Sequence, residues 1–150
     1  MFRFEKSVII NCSLNKLFEF HTDLDNLSLL SKFKGMKVKL LQANLPVAKG
    51  SEIILKITNY GIISTEWQLL VTEYHPLNGF VDVMTKGPFQ SWKHIHKFEE
   101  IGNSSKLTDI IKYEMPFGFA GKLFHKLFFK KMMNELFEYR HNLTKKLLET

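Results

Sequence analysis

The chain has one cysteine, Cys12, in 150 residues, so an intramolecular disulfide is excluded. A lone thiol suits a reducing compartment, and the chain reads as cytoplasmic. No apolar run approaches the ~18 residues that a membrane-spanning helix needs. The opening Met1-Phe2-Arg3-Phe4-Glu5-Lys6 lacks an apolar signal-peptide core and carries an acid early. Only four prolines and eight glycines are present, and they are scattered, so no linker or low-complexity tract divides the chain. We read one domain over residues 1–150. Acids are outnumbered, 15 against 21 lysines and arginines, for a formal charge of +6. The lysines are dispersed, densest at Lys130-Lys131 and Lys145-Lys146. No RNP-type aromatic strand, zinc-finger or helix-turn-helix spacing accompanies them, so nucleic acid is not an expected partner. No serine sits in a nucleophile elbow, no glycine loop cradles phosphate, and Cys12 has no assigned histidine partner.

What the chain has in quantity is apolar side chains, 45% of all residues, with 14 phenylalanines. That excludes disorder and points to an aromatic core or a lined cavity. Phe2 to Ile10 alternates like a strand. Ser13 is placed to cap a helix carrying Leu14, Leu17 and Phe18. Asp25 or Asn26 starts a second short helix with Leu27, Leu29 and Leu30, and Gly35 closes the pair. Strand patterns then run over 36–41, 51–59, 62–74, 80–86, 90–100 and 106–115, separated by turn residues such as His75-Pro76-Leu77-Asn78-Gly79.

Pro116 and Gly118 end the strands, and nothing from about Phe119 to Leu148 breaks a helix. Phe124, Phe128, Met132, Leu136, Tyr139, Leu143 and Leu147 recur at helical spacing and predict the inward stripe. Phe129, Met133 and Phe137 form a second apolar line, suited to core, pocket wall or dimer face. A helix of ~30 residues is ~45 Å long and needs a large apolar surface to lie on. The predicted class is α+β: a curved antiparallel sheet of about seven strands around a long C-terminal helix.

One segment concentrates chemistry. Alternation in Trp92-Lys93-His94-Ile95-His96-Lys97-Phe98 puts Trp92, His94, His96 and Phe98 on one face. With Gly102-Asn103 as a two-residue turn, Phe98 faces Leu107, His96 faces Asp109, His94 faces Ile111 and Trp92 faces Tyr113. A buried carboxylate needs a partner, so a His96–Asp109 pair is predicted. Across Gly87-Pro88-Phe89, a three-residue loop sets Asp82 near His94 and Met84 near Trp92, and a two-residue loop reverses that face. The first groups the polar residues where they satisfy one another.

These residues carry a resemblance. Gly87-Pro88-Phe89, Trp92-x-His94-x-His96-x-Phe98, Asp109 and Tyr113-Glu114-x-Pro116-x-Gly118 resemble the SRPBCC group of the START-like, helix-grip superfamily. The likeness extends to Phe80-x-Asp82 and to Ile9 through Asp23, and so spans nearly the whole chain. The central motif is similar to that of a small stand-alone bacterial subgroup, often labelled cell-division-inhibitor-like. Ser13 and Ser31 depart from it, standing where relatives often have proline. The resemblance implies a deep cavity between sheet and long helix, used for lipids, polyketides or other apolar molecules. It implies that Asp82, Trp92, His94, His96, Asp109 and Tyr113 face that cavity.

Two functions from different classes follow. The first is binding or carriage of a small apolar ligand, its body against Phe124, Phe128 and Met132, with Trp67 and Phe98 completing the wall. The polar head then meets His94, His96 and Asp109. The second is a cyclase or dehydratase using His96 and Asp109 for proton transfer. Metal would need His94, His96 and a carboxylate from Asp82 or Asp109. With no further ligand cluster in the sequence, no metal and no cofactor are assigned. His21, His75, His125 and His141 have no evident companions and read as surface or structural. The line Lys122, Lys126, Lys130 reads as a solvated face, with an acidic membrane or ligand as the sharper alternative. Monomer and homodimer both stay open.

Overall fold

The computed structural model describes residues 1–149. Strand β1 (Phe2–Ile10) leads into helices α1 (Leu14–Thr22) and α2 (Asp25–Leu30). Six strands follow: β2 (Lys37–Ala43), β3 (Glu52–Asn59), β4 (Ile63–His75), β5 (Gly79–Lys86), β6 (Ser91–Ile101) and β7 (Ser104–Glu114). The chain closes with α3 (Gly118–Phe124), a π-helical turn (His125–Phe129) and α4 (Lys130–Leu148), one uninterrupted helical run. This is the helix-grip architecture.

The seven strands form one antiparallel sheet in the order β1-β7-β6-β5-β4-β3-β2. Each consecutive pair from β2 to β7 is joined as neighbours, and β1 closes against β7. Extra residues break the ladder between Leu40 and Gln42, between Gln68 and Leu69, and between Val71 and Glu73. Such bulges bend a strand and sharpen its twist, which is how this sheet curves around the helix. Ser13 caps α1 as its chemistry predicts, its Oγ accepting from the Lys16 amide at 3.2 Å.

Burial divides into three clusters. Ile10, Leu17, Phe18, Phe98, Leu107 and Leu148 close one end. Ile111, Tyr113, Phe129, Met133, Leu136 and Phe137 join the helical run to β7. Val38, Val47, Ile53, Leu55 and Val71 line the β2–β4 half. The far end of α4 is tied down by polar contacts as well. The Lys16 ammonium donates to the Leu148 carbonyl at 2.9 Å, and the Asn11 amide donates to Glu149 Oε1 at 2.9 Å.

The inward face of the helix differs from the predicted stripe. Phe124 and Phe128 are exposed, and the buried line is Gly121, His125, Phe129, Met133, Phe137 and His141, followed by Thr144 and Leu148. Two apolar lines compete in this sequence. The winning one carries glycine, histidine and threonine, which a hydrophobicity pattern counts against it. A line stepping by four drifts around an α-helix of 3.6 residues per turn. The wider π turn takes up part of that drift and keeps His125 and Phe129 facing the sheet. Phe129, Met133 and Phe137 are therefore core, and no dimer face forms through them.

Candidate functional site

Between helix and sheet lies a cavity of about 700 Å³. The β2–β4 half supplies an apolar wall that includes Leu55, Trp67 and Val71. Trp67 meets Trp92 edge-on at 5.2 Å and donates its indole N–H to Thr65 Oγ1 at 3.1 Å. Opposite them stand Met132, Met133 and Phe137 from α4. Polar side chains gather in one region: His21 from α1, Asp82 from β5, His94 and His96 from β6, and Arg140 from α4.

The register behind that cluster is the predicted one. His96 stands opposite Asp109 and Trp92 opposite Tyr113, with Ile101–Ser104 closing the Gly102-Asn103 turn. Asp82 stands opposite His94, the arrangement of the three-residue loop; pairing runs from Gly79–Lys97 to Val83–Lys93. On the other side of β5, Met84 pairs with Leu69 of β4.

The side chains pair differently from their backbones. His94 Nε2 meets Asp109 Oδ1 at 2.7 Å, and His96 Nε2 meets Asp82 Oδ2 at 2.9 Å. His96 approaches Asp109 only through Nδ1, at 3.5 Å. Both strong bonds are diagonal across their strand pairs, a reach open to an imidazole on a twisted sheet. The predicted His96–Asp109 contact is thus present at 3.5 Å, while the shorter bonds are the two crossed ones. The rings of His94 and His96 stack at 3.7 Å, and Phe80 stacks on His96 at 4.1 Å.

Asp109's second oxygen is taken from the helix: His141 Nε2 meets Oδ2 at 2.6 Å. One carboxylate on β7 therefore links β6 to α4. Burial alone would raise its pKa, but hydrogen bonds from His141 and His94 outweigh that and hold it well below the usual carboxylate range. An ionised carboxylate only accepts, so each imidazole donates to it through Nε2. His96 Nδ1 and His141 Nδ1 are buried without a partner. Burial, reinforced by neighbouring His94, lowers the pKa of His96 and favours its neutral form.

Three of the four histidines set aside from sequence are engaged. His141 holds Asp109, and His125 accepts the Tyr113 hydroxyl at 2.7 Å. Burial raises Tyr113 to about 12 and lowers His125, so this bond joins two neutral groups. His21 donates from Nδ1 to the Leu17 carbonyl at 3.1 Å, and burial lowers its pKa to about 4. His75 alone is exposed.

Arg140 escaped the sequence reading as well. Its guanidinium lies over the Phe137 ring at 5.0 Å and makes no hydrogen bond or ion pair among the described residues. Burial lowers its pKa, opposed by the charges of Asp109 and Asp82. The available signal was rarity: Arg3 and Arg140 are the only arginines among 21 basic residues, and Arg140 adjoins His141.

Of the sequence candidates, Trp67, Asp82, Trp92, His94, His96, Phe124 and Met132 line the cavity. Four do not. Phe98 packs with Phe18 and Leu107, Tyr113 bonds His125, and Asp109 lies behind His94. Phe128 points to solvent.

Asp82, His94 and His96 place ligand atoms within 4.8 Å of one another, so metal fit can be judged. An ion lies in the plane of each imidazole that binds it. Two rings stacked at 3.7 Å and 29° cannot both aim lone pairs at one ion without turning, and their Nε2 atoms already serve carboxylates. The cluster suits hydrogen bonding to a ligand instead.

No family model and no curated protein matches the chain. Solved structures do. A protein from Thermus thermophilus is 16% identical with a TM-score of 0.76, over 96% of this chain and 94% of its own. A START superfamily protein from Mycobacterium smegmatis is 14% identical with a TM-score of 0.72, over 97% and 98%. Ara h 8.0201 is 12% identical with a TM-score of 0.63, over 95% and 97%. At these identities the likeness is one of fold, and the fold is START-like.

Proposed function

We propose that this chain binds and carries, or senses, a small apolar molecule bearing one oxygen-rich polar head. The observation behind this reading is the cavity of about 700 Å³, whose mostly apolar lining includes the ionisable side chains of Asp82, His94, His96 and Arg140. That is the usual build of a small-molecule pocket, where apolar walls supply affinity and a few polar groups fix orientation. The body lies against Trp67, Met132 and Phe137. The head meets His94, His96 and the uncommitted Arg140. Asp109 acts from behind by fixing the His94 ring. The START-like fold supports small-ligand binding in general, and a lipid or polyketide suits the lining. Assignment to the cell-division-inhibitor-like subgroup rests on Trp92-x-His94-x-His96-x-Phe98 alone. Cytoplasmic residence and a single-domain chain belong to the same proposal.

Native mass spectrometry of protein exposed to lipid extract tests the reading. The wild type retains an apolar species. His94→Ala and Arg140→Met each retain at least about tenfold less, the worth of one hydrogen bond involving a charged or polarised group. No retention by wild type, or equal retention by both folded variants, defeats the carrier.

A second reading, a cyclase or dehydratase, draws on a different observation. His94 and His96 line the cavity, each with a carboxylate on Nε2, Asp109 for the first and Asp82 for the second, and a carboxylate-backed imidazole is the arrangement a general base uses. It requires a pH-dependent turnover that His96→Gln abolishes.

A further inference from the structure

Nine of the seventeen exposed large apolar side chains among the described residues fall in two segments that both border the cavity. Along the start of the helical run, Phe117, Phe119, Leu123, Phe124, Leu127 and Phe128 are exposed, Phe117 and Phe119 at 86% and 81%. At the tip of the β3–β4 hairpin Tyr60, Ile62 and Ile63 are exposed too, Ile62 at 82%. Soluble proteins seldom leave such a set of large apolar groups to water. Both groups flank the cavity, because Tyr60, Ile63, Phe117 and Phe124 line it while remaining exposed. They mark its mouth.

The backbone presents these residues by a repeated device. Tyr60 has φ 54° followed by Gly61 at 73°, and Phe117 has φ 64° followed by Gly118 at 53°. A bulky residue in the left-handed region is uncommon and costs on the order of 1–2 kcal/mol. Both rims of the mouth accept that cost to turn an aromatic outward.

Charge says what covers the patch. Met115 through Asn134 contains no acid, and Lys122, Lys126, Lys130 and Lys131 are all exposed. Lys131 pairs with Glu135, whereas Lys122, Lys126 and Lys130 make no ion pair among the described residues. At a spacing of four they form one basic line beside Leu123 and Leu127. A second copy docked symmetrically would set these unpaired lysines against themselves, since an isologous contact repeats one patch on both sides. An acidic lipid surface accepts both the apolar side chains and the lysines.

We infer that the rim of the cavity is a membrane-docking surface, with Phe119, Leu127 and Phe128 entering the acyl boundary of a bilayer and Lys122, Lys126 and Lys130 resting on acidic headgroups. The mouth then opens onto the membrane. Docking is independent of what the cavity holds, so the two readings stand or fall separately.

Flotation with vesicles tests it, using phosphatidylcholine alone and phosphatidylcholine with added phosphatidylglycerol. Wild type floats with the acidic vesicles, is released by salt, and partitions weakly to neutral ones. Phe119→Ser/Leu127→Ser/Phe128→Ser and Lys122→Glu/Lys126→Glu/Lys130→Glu each lower partitioning at least about tenfold, given what a basic residue contributes near an acidic surface. None of these six lines the cavity, so uptake of a fluorescent apolar probe is unchanged. Wild type that never floats at low salt overturns the proposal. So does a dimer by light scattering that Phe128→Ser converts to monomer, which would assign the patch to a second copy.

Discussion

Asp109→Ala lowers the unfolding free energy by about 3 kcal/mol or more in urea denaturation at neutral pH. The substitution strands two imidazoles at once, His94 on β6 and His141 on α4, which donate to its two oxygens at 2.7 Å and 2.6 Å. Removing one member of a buried polar set leaves the others desolvated and unpaired, which typically costs about 3–5 kcal/mol for ions and about 1–3 for neutral groups. Replacing all three together, His94→Phe, Asp109→Leu and His141→Leu, costs less than the single change, because nothing polar is then stranded. A loss under about 1 kcal/mol for Asp109→Ala would mean that water reaches both imidazoles, against their burial.

The second large effect is acid lability. His21 has a folded-state pKa of about 4, lowered by burial, against ~6.5 unfolded. A depressed histidine favours folding fully above its unfolded value, and that contribution is lost as pH falls toward the folded value. The groups facing it are Asp109, which opposes the shift, and His96 and Arg140, which add to it. Between ~6.5 and about 4 the linkage amounts to about 3 kcal/mol. His96 shifts in the same direction and adds to the slope. Asp109 is held well below the usual range, so its contribution disappears only in stronger acid. His21→Gln therefore flattens the fall in stability between about pH 7 and pH 4. Denaturation midpoints across that range measure it, and parallel profiles for variant and wild type would exclude His21 as the group responsible.

Period-two patterns were the most legible part of this chain. Gly102-Asn103 closes a two-residue turn, and one turn sets every pair from Ser91–Glu114 to Ile101–Ser104. Ser13 was readable because capping is local chemistry. What escaped depends on distance in three dimensions. Backbone register says who stands opposite whom, but sheet twist and imidazole reach decided that His94 and His96 bond diagonally. His141 looked solitary because its partner is 32 residues away on another element. The helix face was misread for a related reason. Apolar spacing alone favours Phe124 and Phe128, while the buried line draws on His125, His141 and Thr144, each bonded to a specific partner. Phenylalanines then remain outside, where composition alone counts them as core.

The tethers on the helical run are unevenly spread. Beyond Phe137 it is fastened by His141 to β7, by Leu148 inside an apolar cluster, and by Lys16 and Asn11 to its last residues. Before Phe129 it is held through His125, which bonds Tyr113 and stacks on Phe2 of β1 at 3.6 Å. The fastening is therefore heaviest beside the imidazole cluster, where His141 of the same run meets Asp109, and lighter at the end that flanks the cavity mouth.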